Sequence, residues 1–243
     1  MNWRRLLRRP PSADAAGRAD MDLWAPVLGV YCERQDASFW AEPVNAVTNL
    51  AFVIAGLVAF RRSGSDRAAA ALGLVVFAIG VGSFLFHTFA TRWALIGDVA
   101  PIQLFIAAYF VLAMRRFLGL SRGGAIVAIA VFLAAAAGLG AALAQGPLRG
   151  AGGYAGGLAG LIGVGVSCLI RARSGPPGPA AGISHRTGRA LLGAAALFAV
   201  SLGFRTVDGL ACAYVPTGTH PLWHLLNAVT LFWLVETFRR SRA

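Results

Sequence analysis

Seven mostly apolar stretches of about 20 residues each recur along this chain with arginines at their ends. They cover approximately residues 45–60, 68–89, 94–114, 123–144, 150–170, 189–207 and 221–238. A bilayer core roughly 30 Å thick is crossed by about 20 apolar residues in helical form. Lipid offers no partner to an unpaired backbone group, so segments of this length must be helices. The pattern predicts an all-α membrane protein, a seven-transmembrane-helix bundle. Composition agrees: 13% of residues are charged, against roughly 25% in an average soluble protein.

The formal net charge of +12 invites a nucleic-acid reading, but its distribution argues otherwise. The arginines sit in short clusters between apolar stretches, such as Arg61, Arg62 and Arg67 or Arg115, Arg116 and Arg122, as charges flanking spans do. No nucleic-acid partner is expected. The chain has no lysine, so no Schiff base can form and retinal is excluded as a cofactor. The first, third and fifth connections and the C-terminal tail carry three, three, four and three arginines. Arg92 and Arg149 stand alone in the second and fourth. Arginine excess marks the cytoplasmic side, which predicts a cytoplasmic C-terminus and, with seven spans, an outside N-terminus. Residues 1–30 read as a tail, disordered or interfacial, and 31–243 as one membrane domain.

Ionisable residues inside spans are costly and mark function by default. Ser83 and His87 lie four apart on the second span, hence on one helical face. Asp98 follows near the start of the third, and His220 and His224 repeat the four-residue spacing at the start of the seventh. Two imidazoles so spaced can reach one zinc ion, and a third from another helix leaves one tetrahedral position open. The predicted topology brings all these groups to the outer leaflet, periplasmic or lumenal. A lone histidine in an apolar helix is ordinarily structural; three converging with Asp98 and Ser83 favour a metal site.

The pattern also resembles a known family. Glu33 after Cys32, the stretch Ala41-Glu42-Pro43-Val44-Asn45-Ala46-Val47-Thr48-Asn49, Gly82-Ser83-Phe84-Leu85-Phe86-His87, Asp98 and the closing His220 and His224 are similar to the alkaline ceramidases. These belong to a wider superfamily of seven-span zinc hydrolases that includes the adiponectin receptors. The likeness extends over residues 31–236 in the family's order. It implies zinc on His87, His220 and His224, Asp98 contacting the water at the metal, and Ser83 beside it. The implied reaction is hydrolysis of a lipid amide, ceramide or another N-acyl lipid, to a fatty acid and an amine. Asp98 suits a general base; Ser83, without an adjacent base, suits an oxyanion donor better than a nucleophile.

The resemblance further implies a calcium ion at the acidic segment before the first span, where Glu33, Gln35, Asp36 and Glu42 offer oxygen ligands. Here the expected aspartate and tryptophan are Val30 and Tyr31, and the segment from Glu33 to Glu42 is shorter. A solvated acidic turn is the other reading. Cys32 and Cys212 fall on the predicted outer side, where an oxidising compartment permits a disulfide, and the resemblance implies one. Cys168 reads as an inert apolar residue, His185 as a solvated loop residue, and Arg205 with Asp208 as a pair at a span end. Asn45 and Asn49 share a face, for packing or for bridging to the site, and Glu236 is placed to pair with Arg239 and Arg240. A different function class remains open: a seven-helix lipid receptor or sensor with structural zinc and little turnover. Ser83 and Asp98 favour the enzyme, since a structural zinc needs neither.

Overall fold

A computed structural model describes residues 22–145 and 151–242. The residues before 22, Arg149 and the expectations resting on them lie outside the described part. The helices are α1 (Pro43–Thr48), α2 (Leu50–Arg62), α3 (Arg67–Phe89), α4 (Arg92–Arg116), α5 (Arg122–Leu143), α6 (Gly152–Ser174), α7 (Pro179–Ala211) and α8 (His220–Arg240). Among the described residues the only bridge is an isolated one between Pro26 and Thr91. Each expected span is helical. Six units, with α1 and α2 counted together, are long and apolar enough to cross a bilayer. The other, α8, is a helix of 21 residues that is less apolar because it carries His220, His224, Asn227, Thr230 and Glu236. It is also among the most buried.

Consecutive helices are neighbours, and α8 closes the ring against α2, α3 and α7. The first span is broken at Asn49. Its side-chain amide donates to Asn45 O (2.9 Å), taking the carbonyl that the main chain would use, while its own N–H reaches Ala46 O at 3.3 Å. The sixth unit is longer than expected. At 33 residues α7 measures about 50 Å, more than a bilayer core needs, because Pro179 opens a helix where the sequence suggested a loop. His185 is therefore exposed as expected, but on a helix. At the outer edge of the ring, α5 buries Ala125 alone and leaves Ile126, Val127, Val131 and Leu133 exposed.

The two ends differ in chemistry. At the arginine-rich end Asp66 caps α3, accepting from Ala69 N, and takes a two-pronged contact from Arg116 (2.6 and 3.2 Å) at the end of α4. Arg116 also lies 3.5 Å from the Phe238 ring centroid, tying in α8. Glu236 pairs with Arg239 and Arg240, as expected, and with Arg62 of α2 at 3.0 Å. At the other end, residues before α1 fold over the α3–α4 turn: Val27 N donates to Ala90 O, and Arg92 N and Trp93 N donate to Ala25 O and Leu23 O.

Burial pushes the Asp66 carboxyl up, but the hydrogen bonds and charge of Arg116 and the Ala69 N–H outweigh it and hold it below the usual carboxylate range. A group depressed on folding stabilises above its unfolded value, about 3.9, and loses that contribution as pH falls through the folded value. Asp66→Asn should cost about 1–3 kcal/mol at neutral pH. Between about pH 5 and 2 its melting temperature should decline less than that of the wild type; parallel declines would show that the pair contributes nothing.

Candidate active site

Alternating helix direction brings the C-terminal end of α3 and the N-terminal ends of α4 and α8 together. His87 is on the last turn of α3, and His220 and His224 are on the first turns of α8. All three are buried. Their ring centroids are 5.3 Å (His87 to His220), 4.8 Å (His87 to His224) and 4.5 Å (His220 to His224) apart. Among the described residues this is the only group of three or more His, Cys, Asp or Glu side chains whose ligand atoms, all within 4.8 Å of one another, could share one metal ion.

Each imidazole is fixed by a second contact. His87 Nδ1 lies 2.5 Å from Glu42 Oε2. An ionised carboxylate only accepts, so Nδ1 carries the proton and Nε2 the lone pair. His224 Nδ1 lies 2.8 Å from Thr48 Oγ1, whose own proton is engaged by Val44 O or Asn45 O, so this Nδ1–H also donates outward. His220 is stacked under Tyr31, with ring centroids 3.8 Å apart, and its backbone N–H donates to Asp208 Oδ1 at 2.8 Å. His87 Nε2, His224 Nε2 and His220 Nδ1 are left buried with no protein partner. That is the donor set of a three-histidine zinc site, so the residues fit the metal.

Asp98, near the start of α4, and Ser83 are both buried and line the same small cavity. Two glycine contacts set that register. Pro101 has no N–H for Gly97 O, and that carbonyl meets α3 at Gly82, where an added Cβ would sit 2.0 Å from it. Gly218 has φ 67° and tucks the loop before α8 under Asp208, where a Cβ would fall 2.2 Å from Oδ1. Asp98, Ser83, His220, His224, Tyr31 and Arg205 line one small cavity. It shares Ile102 and Tyr154 with a narrow apolar cavity of about 60 Å³ reaching between α4, α6, α7 and α8.

The acidic segment is arranged differently from the calcium expectation. Glu33 accepts from Val44 N and Asn45 N (2.7 and 2.8 Å), capping the start of α1. Gln35 donates to Cys32 O and Asp36 accepts from Ser38 N, both at exposed positions. Glu42 is turned inward, with Arg34 Nε at 2.5 Å and Asn45 Nδ2 at 3.0 Å besides His87. Burial pushes the Glu42 carboxyl up, but the contacts from His87, Arg34 and Asn45 prevail and keep it below the usual carboxylate range. The four side chains do not converge on one point, and the oxygens facing the middle of the segment already hold a guanidinium. They do not fit a calcium ion.

Cys32 and Cys212 are joined in a disulfide, with Cα atoms 5.1 Å apart, which fastens the segment before α1 to the end of α7. Cys168 is free and buried in α6. Asp208 is engaged by Cys32 N, Thr219 N and His220 N, whereas Arg205 lies over Tyr154 (4.9 Å) and near Trp223 (5.8 Å). Asp208 thereby caps the start of α8, and Arg205 forms part of the cavity wall. Asn45 bridges to the site through Glu42. Sequence reasoning overlooked Arg34, Thr48 and the stacking of Tyr31. Thr48 lies inside a recognised stretch and Arg34 between two recognised positions, but nothing in the linear spacing aims either at a histidine.

Together, an apolar helical ring and a buried three-histidine cluster beside a carboxylate define a membrane-type helical protein with a candidate metal centre. A family model described as Ceramidase matches residues 31–242, and the chain belongs to that family. No curated protein matches it.

The close approach of α3 and α4 is testable. Gly82→Ala should cost about 1–3 kcal/mol or more by overpacking and displace Ser83 from Asp98. Gly97→Ala, where a Cβ meets nothing within 4 Å, should leave the melting temperature unchanged or slightly higher. Equal melting temperatures for the two variants would remove Gly82 from the account of the site.

Proposed function

We propose that this protein is an integral-membrane, zinc-dependent amidohydrolase cleaving the amide bond of ceramide or a similar N-acyl lipid. The observation that carries this reading is the set of three buried, partnerless nitrogens on His87, His220 and His224, facing one another beside Asp98. Membership of the ceramidase family supplies the substrate class. A zinc ion held by the three, when bound, lowers the pKa of water to about 7 and polarises a carbonyl.

The chain's own groups do the rest. Asp98 accepts a proton from the attacking water and returns it to the departing amine as the C–N bond breaks, leaving a carboxylic acid and an amine. Ser83 lines the same cavity and can donate its single hydroxyl proton to the carbonyl oxygen as that oxygen gains charge. Tyr31 covers His220 from the loop side. The narrow apolar cavity behind Ile102 and Tyr154, lined by Phe105, Phe132, Leu161 and Phe198, is the apolar path an acyl chain would follow to the site, and these side chains would have to part to admit it.

The same reading places α8 as a seventh span and the site at the outer leaflet. Arginine clusters gather at the opposite end, the side the positive-inside rule makes cytoplasmic. Exposed Trp24, Phe39, Trp40 and Phe89 near the site end suit the headgroup level, where aromatic belts lie. Gly178→Cys in a Cys168→Ala background puts a thiol in the short connection before α7. A membrane-impermeant reagent should fail to label it in intact cells; labelling would reverse the orientation.

Metal analysis of the purified protein should find one zinc per chain, lost when His220 and His224 are both replaced by alanine. Incubation with a panel of N-acyl lipids, read by mass spectrometry of released amines, should identify the substrate. Asp98→Asn should keep the zinc and lose at least about 10²-fold in rate. Undiminished hydrolysis by that variant would require another base. Full zinc occupancy without release from any lipid would favour the receptor reading.

A further inference from the structure

The Arg34 side chain is almost fully buried, although it lies in a loop at the end of the bundle. Its Nε donates to Glu42 Oε1, Nη1 donates to Asp36 O (3.1 Å) and Ser38 O (3.2 Å), and Nη2 donates to His87 O (2.9 Å). One carboxylate and three backbone carbonyls therefore surround the guanidinium. These are the hard oxygen donors from which calcium sites are built, and four of the five guanidinium N–H donors are engaged. The charges also match a single cation. Glu42 supplies one negative charge at this centre; Glu33 is turned to the start of α1, Asp36 to Ser38 N, and position 30 is valine.

We infer that Arg34 is a built-in cation that takes the structural place of calcium in this chain. Tethered to the backbone, it gathers the loop between Cys32 and Pro43 around itself, holds Glu42 against His87 Nδ1, and grips the last turn of α3 through His87 O. Arg34 is thus a positioning residue acting on His87 through Glu42, and the segment before α1 is ordered without a divalent ion. The inference does not depend on which lipid is cleaved, or on whether one is.

The test uses full-length protein in detergent and reads melting temperature and bound metal rather than turnover. Wild type should contain no stoichiometric calcium, and added calcium should not shift its melting temperature. Arg34→Ala leaves Glu42 and three carbonyls without their partner and should melt about 5–15 °C lower. Low concentrations of guanidinium chloride should recover part of that loss in Arg34→Ala and none in wild type, with sodium chloride at equal ionic strength as control. If Arg34→Ala does not accumulate, Arg34→Lys serves in its place. The ammonium keeps the charge but cannot reach all four oxygens in the planar arrangement, so this variant should melt lower than wild type and still ignore calcium. Calcium bound at one ion per wild-type chain, a wild-type melting temperature that rises with calcium, or an Arg34→Ala or Arg34→Lys protein as stable as wild type would overturn the proposal.

Discussion

The hydrogen bond between Glu42 and His87 determines what the rest of the site can be. A carboxylate on Nδ1 fixes the tautomer of His87 and directs the Nε2 lone pair toward His220 and His224. A buried carboxylate is tolerated only when its charge and lone pairs are matched, and here Arg34, Asn45 and His87 match them. These partners come from the loop before α1, from α1 itself and from α3. A single buried charge therefore makes the loop, the first span and the histidine-bearing helix interdependent. Thr48, one turn along from Val44, does the same for His224.

The helical ring explains why one end carries chemistry and the other carries arginine. Neighbouring helices alternate in direction, so groups near the end of α3 and the beginnings of α4 and α8 are brought together by connectivity alone. Close packing then sets the register: Gly82 against Gly97 O, and Gly56 against Gly73 O. Such contacts between small residues let helices approach where no hydrophobic force drives them together. At the far end Asp66 and Glu236 collect Arg116, Arg242, Arg62, Arg239 and Arg240. Both ends of α8 are thereby fastened, by Asp208 and the disulfide-linked loops at one and by ion pairs at the other.

Much of this is legible in the sequence because it depends on helical periodicity. Spacing of four puts His220 with His224 and Ser83 with His87, and span order puts Asp98 beside them. Helix existence likewise follows from apolar length. What periodicity cannot supply is the direction of a loop side chain. Glu33, Gln35, Asp36 and Glu42 look like one oxygen-rich cluster in the sequence, yet one caps a helix, one turns inward to a histidine and two lie at the surface. The N-terminal extension of α7 was hidden for a related reason. Gly and Pro between 174 and 189 read as a loop, whereas Pro179 occupies the first turn, where its missing N–H costs nothing.

The three histidines also bear on stability. Nitrogens buried without a donor lose their hydration, at roughly 1–3 kcal/mol for each unsatisfied group. Neither a neighbouring hydroxyl nor a backbone N–H meets His87 Nε2, His220 Nδ1 or His224 Nε2. The other face of His87 and of His224 is held by a polar partner, and His220 is pinned by Tyr31 and its backbone, so the rings cannot turn to relieve the loss without breaking those contacts. The scaffold therefore holds these three nitrogens together with no protein group as partner to any of them. A cation that accepts all three converts that cost into binding energy, and it does so only in the folded state, where the three are assembled. Binding of a metal by these three would in that way be coupled to fold stability through the same residues. The coupling reaches α3, the first span and the loop between them through Glu42 and Thr48, which makes the contacts behind the histidines as consequential for the site as the histidines themselves.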